Sequence, residues 1–98
     1  MTDSTAAVLD ELFDVIEARK VELPVGSYTT ELFTHQKGEN AALEKLGEEV
    51  TEVVLAAKDA DDEGLVAESA DLVYHLLVVL SMHDLTLDDL RAELRARR

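Results

Sequence analysis

Apolar residues recur at intervals of three or four along most of this 98-residue chain, and a single proline and four glycines interrupt them. Intervals of that kind place the apolar side chains on one face of a helix. Long alternations of apolar and polar residues, which are typical of strands, are absent. The pattern therefore predicts an all-α fold, and the length predicts one domain over residues 1–98.

Caps and breaks in the sequence predict where the helices begin and end. The first helix is expected to begin after a Ser4 or Thr5 cap and to end near Lys20, because Pro24 and Gly26 interrupt the pattern shortly afterwards. The later segments are a short helical turn over 28–33 capped by Ser27, a long helix over 41–59 capped by Asn40, a long helix over 63–82 capped by Asp62, and a last helix that Thr86 starts.

The two long helices differ in how their apolar residues are distributed. The helix over 63–82 is apolar around nearly its whole circumference, as in a helix surrounded by protein. A chain of this length cannot enclose a helix completely, so we expect a homodimer in which a second subunit completes the helical hairpin to a four-helix-bundle-like arrangement. The helix over 41–59 has one apolar stripe that is expected to lie in the core: Leu43, Leu46, Val50, Val53, Val54 and Ala57.

Two acidic pairs lie in these helices at a spacing of three residues, Glu49 with Glu52 and Glu68 with Asp71. The connection between the helices is so short that they must form an antiparallel hairpin, and the pairs then face each other at similar distances from the turn. Converging carboxylates without a cation would be costly. Because oxygen-only ligands favour Mg²⁺ or Mn²⁺, these four residues are the predicted metal ligands.

Some polar residues near the pairs have two interpretations. Glu48 and Glu52 could equally belong to the solvated face of an ordinary helix. The apolar surroundings of Glu68 and Asp71 favour a functional role for that pair. His75 is more commonly a core histidine bonded to a carboxylate or a backbone carbonyl than a ligand or a proton-transfer group.

Lysines are scarce in the chain, and three of them lie near the acidic helices. Lys45 and Lys58 could pair with acids on their own helix, whereas any of Lys37, Lys45 and Lys58 could hold a phosphate. Tyr74 and Phe33 are expected to pack in the interior rather than to stack on a base.

The chain is strongly acidic, with 22 Asp and Glu against nine Lys and Arg and a formal net charge of −13. That charge repels nucleic acid, so no nucleic-acid partner is expected. A few metal ligands do not account for 22 acidic residues. A solvated acidic coat is the simpler interpretation, and it suits a halophilic protein, because concentrated salt screens the repulsion between its charges.

Cysteine is absent, which excludes disulfides, thiolate metal sites and thiol nucleophiles. The first residues contain no basic segment of the kind that begins a secretory signal. We expect no apolar run that approaches the roughly 18 residues of a membrane span. A cytoplasmic protein without a membrane partner is therefore predicted.

The residues around the acidic pairs resemble those of a known family. Glu49-x-x-Glu52 followed by Glu68-x-x-Asp71 resembles the paired acidic motif of the all-α nucleoside triphosphate pyrophosphohydrolases. Nearly the whole chain is similar to the phosphoribosyl-ATP pyrophosphatase family within that group. The segments that carry this resemblance are Ser27-Tyr28-Thr29, Leu32-Phe33, Gly38, Leu43 to Lys58, Ala70 to Val78 and Leu85 to Leu90.

The resemblance implies the second step of histidine biosynthesis, in which water converts phosphoribosyl-ATP into phosphoribosyl-AMP and pyrophosphate. It also implies Mg²⁺ held by the four acids of the two pairs. Glu48 would be a metal ligand or a general base. Glu48 and Glu49 are the two catalytic candidates. Lys45 and Lys58 would contact phosphates, and the segment from Ser27 to Thr29 together with the loop from His35 to Asn40 would border the substrate. The candidate substrate contacts are Ser27, Thr29, Lys37, Lys45, Lys58 and His75.

Two other functions fit parts of the pattern. A house-cleaning pyrophosphohydrolase acting on another nucleoside triphosphate would share every metal ligand. A non-enzymatic helical dimerisation module would carry the same acids only as a salt-tolerant surface. A panel of nucleotide substrates separates the first alternative from the phosphoribosyl-ATP reaction, and Mg²⁺ binding by a Glu68→Gln variant tests the second.

Overall fold

The computed structural model describes residues 5–98, and no strand occurs among them. The predicted all-α fold is therefore confirmed. Five helices follow one another along the chain: α1 (Val8–Glu22), α2 (Tyr28–Thr34), α3 (Glu39–Lys58), α4 (Asp62–Met82) and α5 (Leu87–Ala96).

Two of the expected helix caps are confirmed. The Ser27 hydroxyl accepts a bond from the Thr30 N–H at the start of α2. The Thr86 hydroxyl accepts from the Asp89 N–H, and the Asp89 carboxylate accepts from the Thr86 N–H. This reciprocal pair satisfies two backbone donors that would otherwise lack partners at the start of α5.

The other expected caps are wrong. Helix α1 begins at Val8 with Ala7 at its N-cap, and Ser4 lies outside the described residues. Asn40 lies inside α3, because the chain enters that helix from Gly38 at a φ of 63°, a conformation that glycine adopts without strain. The cap of α4 is Asp61, whose carboxylate accepts from the Gly64 N–H, and the expected cap Asp62 is already helical.

The core lies where α1, α2 and α5 pack against the C-terminal half of α4. Helices α3 and α4 form an antiparallel hairpin, which is the most extensive contact between two elements. Helix α1 contacts α2, α4 and α5, so it closes the hairpin on one side. The buried apolar residues of this cluster are Phe13, Ile16, Leu32, Leu77, Val78 and Leu87.

The apolar stripe of α3 is not core within this chain, so that prediction is wrong. Val50 is 46% exposed and Val54 is 53% exposed, and Leu43 and Ala57 are exposed as well. The buried residues of α3 are instead Ala41, Ala42, Glu49 and Ala56. Most of the stripe lies on a side of α3 that residues 5–98 leave exposed, and only Leu46 and Val53 are partly buried.

Helix α4 is also less enclosed than expected. Val66 is 71% exposed, and the buried residues of the helix are limited to four in its C-terminal half. Helix α4 is long and apolar enough, by length and composition alone, to cross a membrane. The expectation that no apolar run approaches a membrane span is therefore wrong. The second subunit that would cover α3 and α4 stays a prediction.

Candidate metal centre and adjoining pocket

Three carboxylates converge where α3 and α4 face each other. Glu49, Glu68 and Asp71 each offer an oxygen atom, and these oxygens lie within 4.8 Å of one another. The hairpin creates this arrangement, because Glu49 on α3 is level with the pair one helical turn apart on α4. Glu49 is buried, Glu68 is half-buried and Asp71 is exposed, so the group opens towards solvent on one side.

Glu52, the fourth predicted ligand, is not part of this group of oxygens. It lies about 4.5 Å further along the α3 axis than Glu49, towards the hairpin turn. There it borders an acidic groove of about 250 Å³ together with Glu68 and residues of the turn, including Asp59 and Asp61. The four predicted ligands are thus divided between a convergent group of three and a neighbouring carboxylate.

The electrostatics of the group favour a bound cation. Burial raises the pKa of the Glu68 carboxyl, and the adjacent carboxylates, first that of Glu49 and then those of Asp71 and Glu52, raise it further. Within the described residues one ion pair reaches the group, with the Lys45 Nζ 4.0 Å from a Glu49 oxygen. Because one lysine offsets little of the charge of three carboxylates, a cation would stabilise the group. Oxygen ligands of this kind suit Mg²⁺ or Mn²⁺.

His75 is bonded away from the carboxylates, to α2 and to the α4 backbone. Its Nδ1 lies 2.8 Å from the Asp71 carbonyl oxygen, which can only accept, so Nδ1 donates. In the neutral ring Nε2 then accepts from the Tyr28 hydroxyl at 3.0 Å. His75 is 5% exposed, and these bonds correspond to the structural interpretation of a core histidine.

Ser27 and Thr29 also make structural contacts within the chain. The Ser27 hydroxyl caps α2, and the buried Thr29 hydroxyl lies 2.5 Å from the Tyr74 hydroxyl. The Tyr28 and Tyr74 rings are 6.1 Å apart and tilted by 31°. Helix α2 is thereby fastened to α4 through two hydroxyl contacts and a cluster of aromatic rings.

A cavity of about 290 Å³ lies between α2 and α3, next to the carboxylate group. The Lys45 Nζ, which lies near Glu49, is also 3.2 Å from Glu48, whose side chain is exposed. The Lys37 Nζ is 3.0 Å from Glu44. The lining residues are Tyr28, Glu31, Leu32, His35, Lys37, Ala41, Glu44, Lys45 and Glu48.

The structure separates the remaining candidates into two groups. Lys37, Lys45 and Glu48 line the cavity, whereas Lys58 is exposed in the last turn of α3 at the hairpin end. Tyr28 lines the cavity as well, and it belongs to the segment from Ser27 to Thr29 that is expected to border the substrate. Glu31 also lines the cavity, although the sequence did not single it out as a site residue.

Comparison with known proteins gives a consistent result. A family model described as phosphoribosyl-ATP pyrophosphohydrolase matches residues 9–98. A phosphoribosyl-ATP pyrophosphatase of Haloarcula marismortui is 67% identical over 98 residues, with 100% of both chains covered. The enzyme of that name from Natronomonas pharaonis is 75% identical over 91 residues, which cover 93% of this chain and 90% of the relative. The chain belongs to the phosphoribosyl-ATP pyrophosphohydrolase family.

Proposed function

We propose that this chain hydrolyses phosphoribosyl-ATP to phosphoribosyl-AMP and pyrophosphate, the second step of histidine biosynthesis. The observation that carries the proposal is the convergence of Glu49, Glu68 and Asp71 beside a cavity, in a chain that belongs to the family. A pyrophosphohydrolase needs a cation site next to a place for its nucleotide. The two features adjoin at Lys45, which lines the cavity and lies 4.0 Å from Glu49.

The three convergent carboxylates would hold Mg²⁺, with Mn²⁺ as the alternative ion. Glu52 is the proposed fourth ligand, because its charge already acts on Glu68 across the hairpin. When bound, the ion neutralises phosphate charge and lowers the pKa of its water. Because the group is partly exposed, one side of it is open to an approaching triphosphate.

Glu48 and Glu49 are the proposed catalytic carboxylates, with different tasks. Glu49 is buried and belongs to the convergent group, so it would act as a ligand. Glu48 lies outside that group and is exposed, so it is free to accept a proton from the attacking water. Its partner Lys45 lies between Glu48 and Glu49 and would turn towards a substrate phosphate.

The other predicted substrate contacts divide into direct and indirect ones. Lys37 lines the cavity and would contact the substrate directly. Lys58, in the last turn of α3, would contact a phosphate at the hairpin end. Ser27, Thr29 and His75 would act through the position of α2, because their polar atoms are bonded within the chain. We further propose a homodimer that covers the exposed apolar side chains of α3, in the cytoplasm.

A substrate panel tests the proposed reaction against the alternative of a house-cleaning enzyme. Pyrophosphate release is measured with phosphoribosyl-ATP and with ordinary nucleoside triphosphates at equal concentration. We expect the highest kcat/KM for phosphoribosyl-ATP, and faster turnover of the ordinary nucleotides would contradict the proposal. Glu68→Gln should abolish the release, while the matched change Glu63→Gln, in the exposed first turn of α4, should leave it unchanged.

A further inference from the structure

The cavity between α2 and α3 is too small for the whole substrate of the proposed reaction. Its volume of about 290 Å³ lies at the lower end of the range for small-molecule sites, roughly 300–1,000 Å³. One nucleoside-sized group fits that space, whereas phosphoribosyl-ATP also carries a second ribose and four phosphates. The cavity can therefore hold no more than one end of the substrate.

The charges around the cavity do not suit a pyrophosphate group. Both ammonium groups are already paired, Lys37 with Glu44 at 3.0 Å and Lys45 with Glu48 at 3.2 Å. Glu31 adds a third carboxylate, so acids outnumber lysines in the lining. Carboxylate oxygens accept hydrogen bonds from the amino and hydroxyl groups of a nucleoside, but they repel a polyanion.

The remaining lining is apolar and aromatic, and its aromatic ring is held in place. Leu32 and Ala41 contribute apolar surface, and Tyr28 contributes its ring. The Tyr28 hydroxyl is bonded to His75, and the two rings meet edge to face with centroids 5.8 Å apart. A ring fixed in this way loses little further freedom when a base stacks on it.

Lys45 connects the cavity to the metal centre. It lines the cavity, and its Nζ lies 4.0 Å from Glu49 of the convergent carboxylates. A nucleotide with its base or ribose in the cavity would thus place its phosphates next to that group.

We propose that the cavity binds the nucleoside end of the substrate, the part that remains in phosphoribosyl-AMP, with the Tyr28 ring as its stacking surface. The leaving pyrophosphate then lies outside the cavity, at the carboxylate group, where a bound cation would offset its charge. This inference rests on the proposed function, since it assigns the direction in which that substrate lies.

An NMR titration of the wild-type chain tests the inference without metal and without turnover. AMP, adenosine, ribose 5-phosphate and pyrophosphate are added separately in the presence of a chelator. We expect AMP and adenosine to shift the backbone amide signals of Tyr28, Ala41 and Lys45, and ribose 5-phosphate and pyrophosphate to leave them unchanged. Shifts confined to the acidic groove, or shifts at the cavity with ribose 5-phosphate or pyrophosphate alone, would overturn the proposal.

Two substitutions at one position separate the ring from its hydroxyl. Tyr28→Ala should weaken AMP and adenosine binding at least about tenfold, because base stacking on an aromatic ring is lost. Tyr28→Phe should weaken it much less, by about twofold, since the ring remains and only the bond that holds it to His75 is lost. Val21→Ala, at an exposed position of α1, is the control for a general effect of substitution. Equal binding by Tyr28→Ala and wild type would contradict the stacking role.

The result can be distinguished from a failure of the proposed function. A chain that binds adenosine at the cavity but does not release pyrophosphate from phosphoribosyl-ATP would refute the reaction and keep the nucleoside site. A chain that catalyses the reaction but binds AMP elsewhere would refute only the direction of the substrate.

Discussion

Removing the Tyr28 hydroxyl should loosen the contact between α2 and α4. The hydroxyl donates to His75 Nε2 at 3.0 Å, and His75 Nδ1 donates to the Asp71 carbonyl at 2.8 Å. In Tyr28→Phe the ring remains, but Nε2 loses its donor. His75 is 5% exposed, so bulk water cannot easily replace the lost partner.

The size of the effect follows from the burial of the two partners. A buried polar group left without a partner costs about 1–3 kcal/mol. Tyr28 itself is 45% exposed, which admits some water to the vacated space and favours the lower end of that range. The expected loss is about 1–1.5 kcal/mol, and for a domain of this size that lowers the Tm by roughly 4–12 °C.

Thermal unfolding followed by circular dichroism measures this loss in Tyr28→Phe. Thr34→Val is the matched control, because it removes an exposed hydroxyl from the same helix, and we expect a change within about 0.5 kcal/mol. A cycle with His75→Phe should show coupling of about 1 kcal/mol between the two positions. If Tyr28→Phe had the Tm of the wild type, and if its effect and that of His75→Phe were additive, the stabilising role of the Tyr28–His75 hydrogen bond would be refuted.

Four further predictions concern the core, the subunit contact and the charges. Leu77→Ala should lower the free energy of unfolding in urea by about 2–5 kcal/mol, because Leu77 is 1% exposed. Val54→Asp should convert a dimer into a monomer by light scattering, and a wild type of monomeric mass would contradict the predicted interface. The bond from Lys20 lowers the pKa of Asp84, so its stabilisation is present above the ordinary aspartate pKa and lost as pH falls through the lowered value. Asp84→Asn should therefore lower the Tm at neutral pH but not at about pH 2. Molar KCl should raise the Tm, since it screens a net charge of −13, and a Tm unchanged by salt would argue against a halophilic surface.

The convergence of the metal candidates could be predicted because it depends on spacing alone. Residues three apart share one side of a helix, and a short turn forces an antiparallel hairpin. These two facts bring Glu49 opposite Glu68 and Asp71, as the structure shows. Glu52 lies outside that group of oxygens. Spacing could not predict this, because it gives the side and level of an acid on its helix but not the position of its carboxylate oxygens.

The environment of the α3 stripe could not be predicted from periodicity. Periodicity identifies the apolar side of a helix, but it does not say what covers that side. Val50 and Val54 are apolar and correctly placed on one face, yet they are about half exposed in the chain. A face of this kind is ambiguous between the core of one chain and an interface between two.

Only one of the two bonds of His75 could be expected from the sequence. Its two partners are Asp71 on the same helix and Tyr28, 47 residues earlier in the chain. The first contact follows from a spacing of four residues, whereas the second requires knowledge of how α2 packs on α4. Gly38 shows the same limit locally, because its positive φ, rather than a polar side chain at Asn40, sets the start of α3.

Pyrophosphate release from phosphoribosyl-ATP in the presence of Mg²⁺ tests the central claim most directly. The wild type and Asp71→Asn are compared, because Asp71 is an exposed member of the carboxylate group and its replacement disturbs no core packing. We predict release by the wild type and a rate lower by orders of magnitude in the variant, with unchanged folding by circular dichroism. Equal rates in the two proteins would contradict the assignment of these carboxylates to the metal centre.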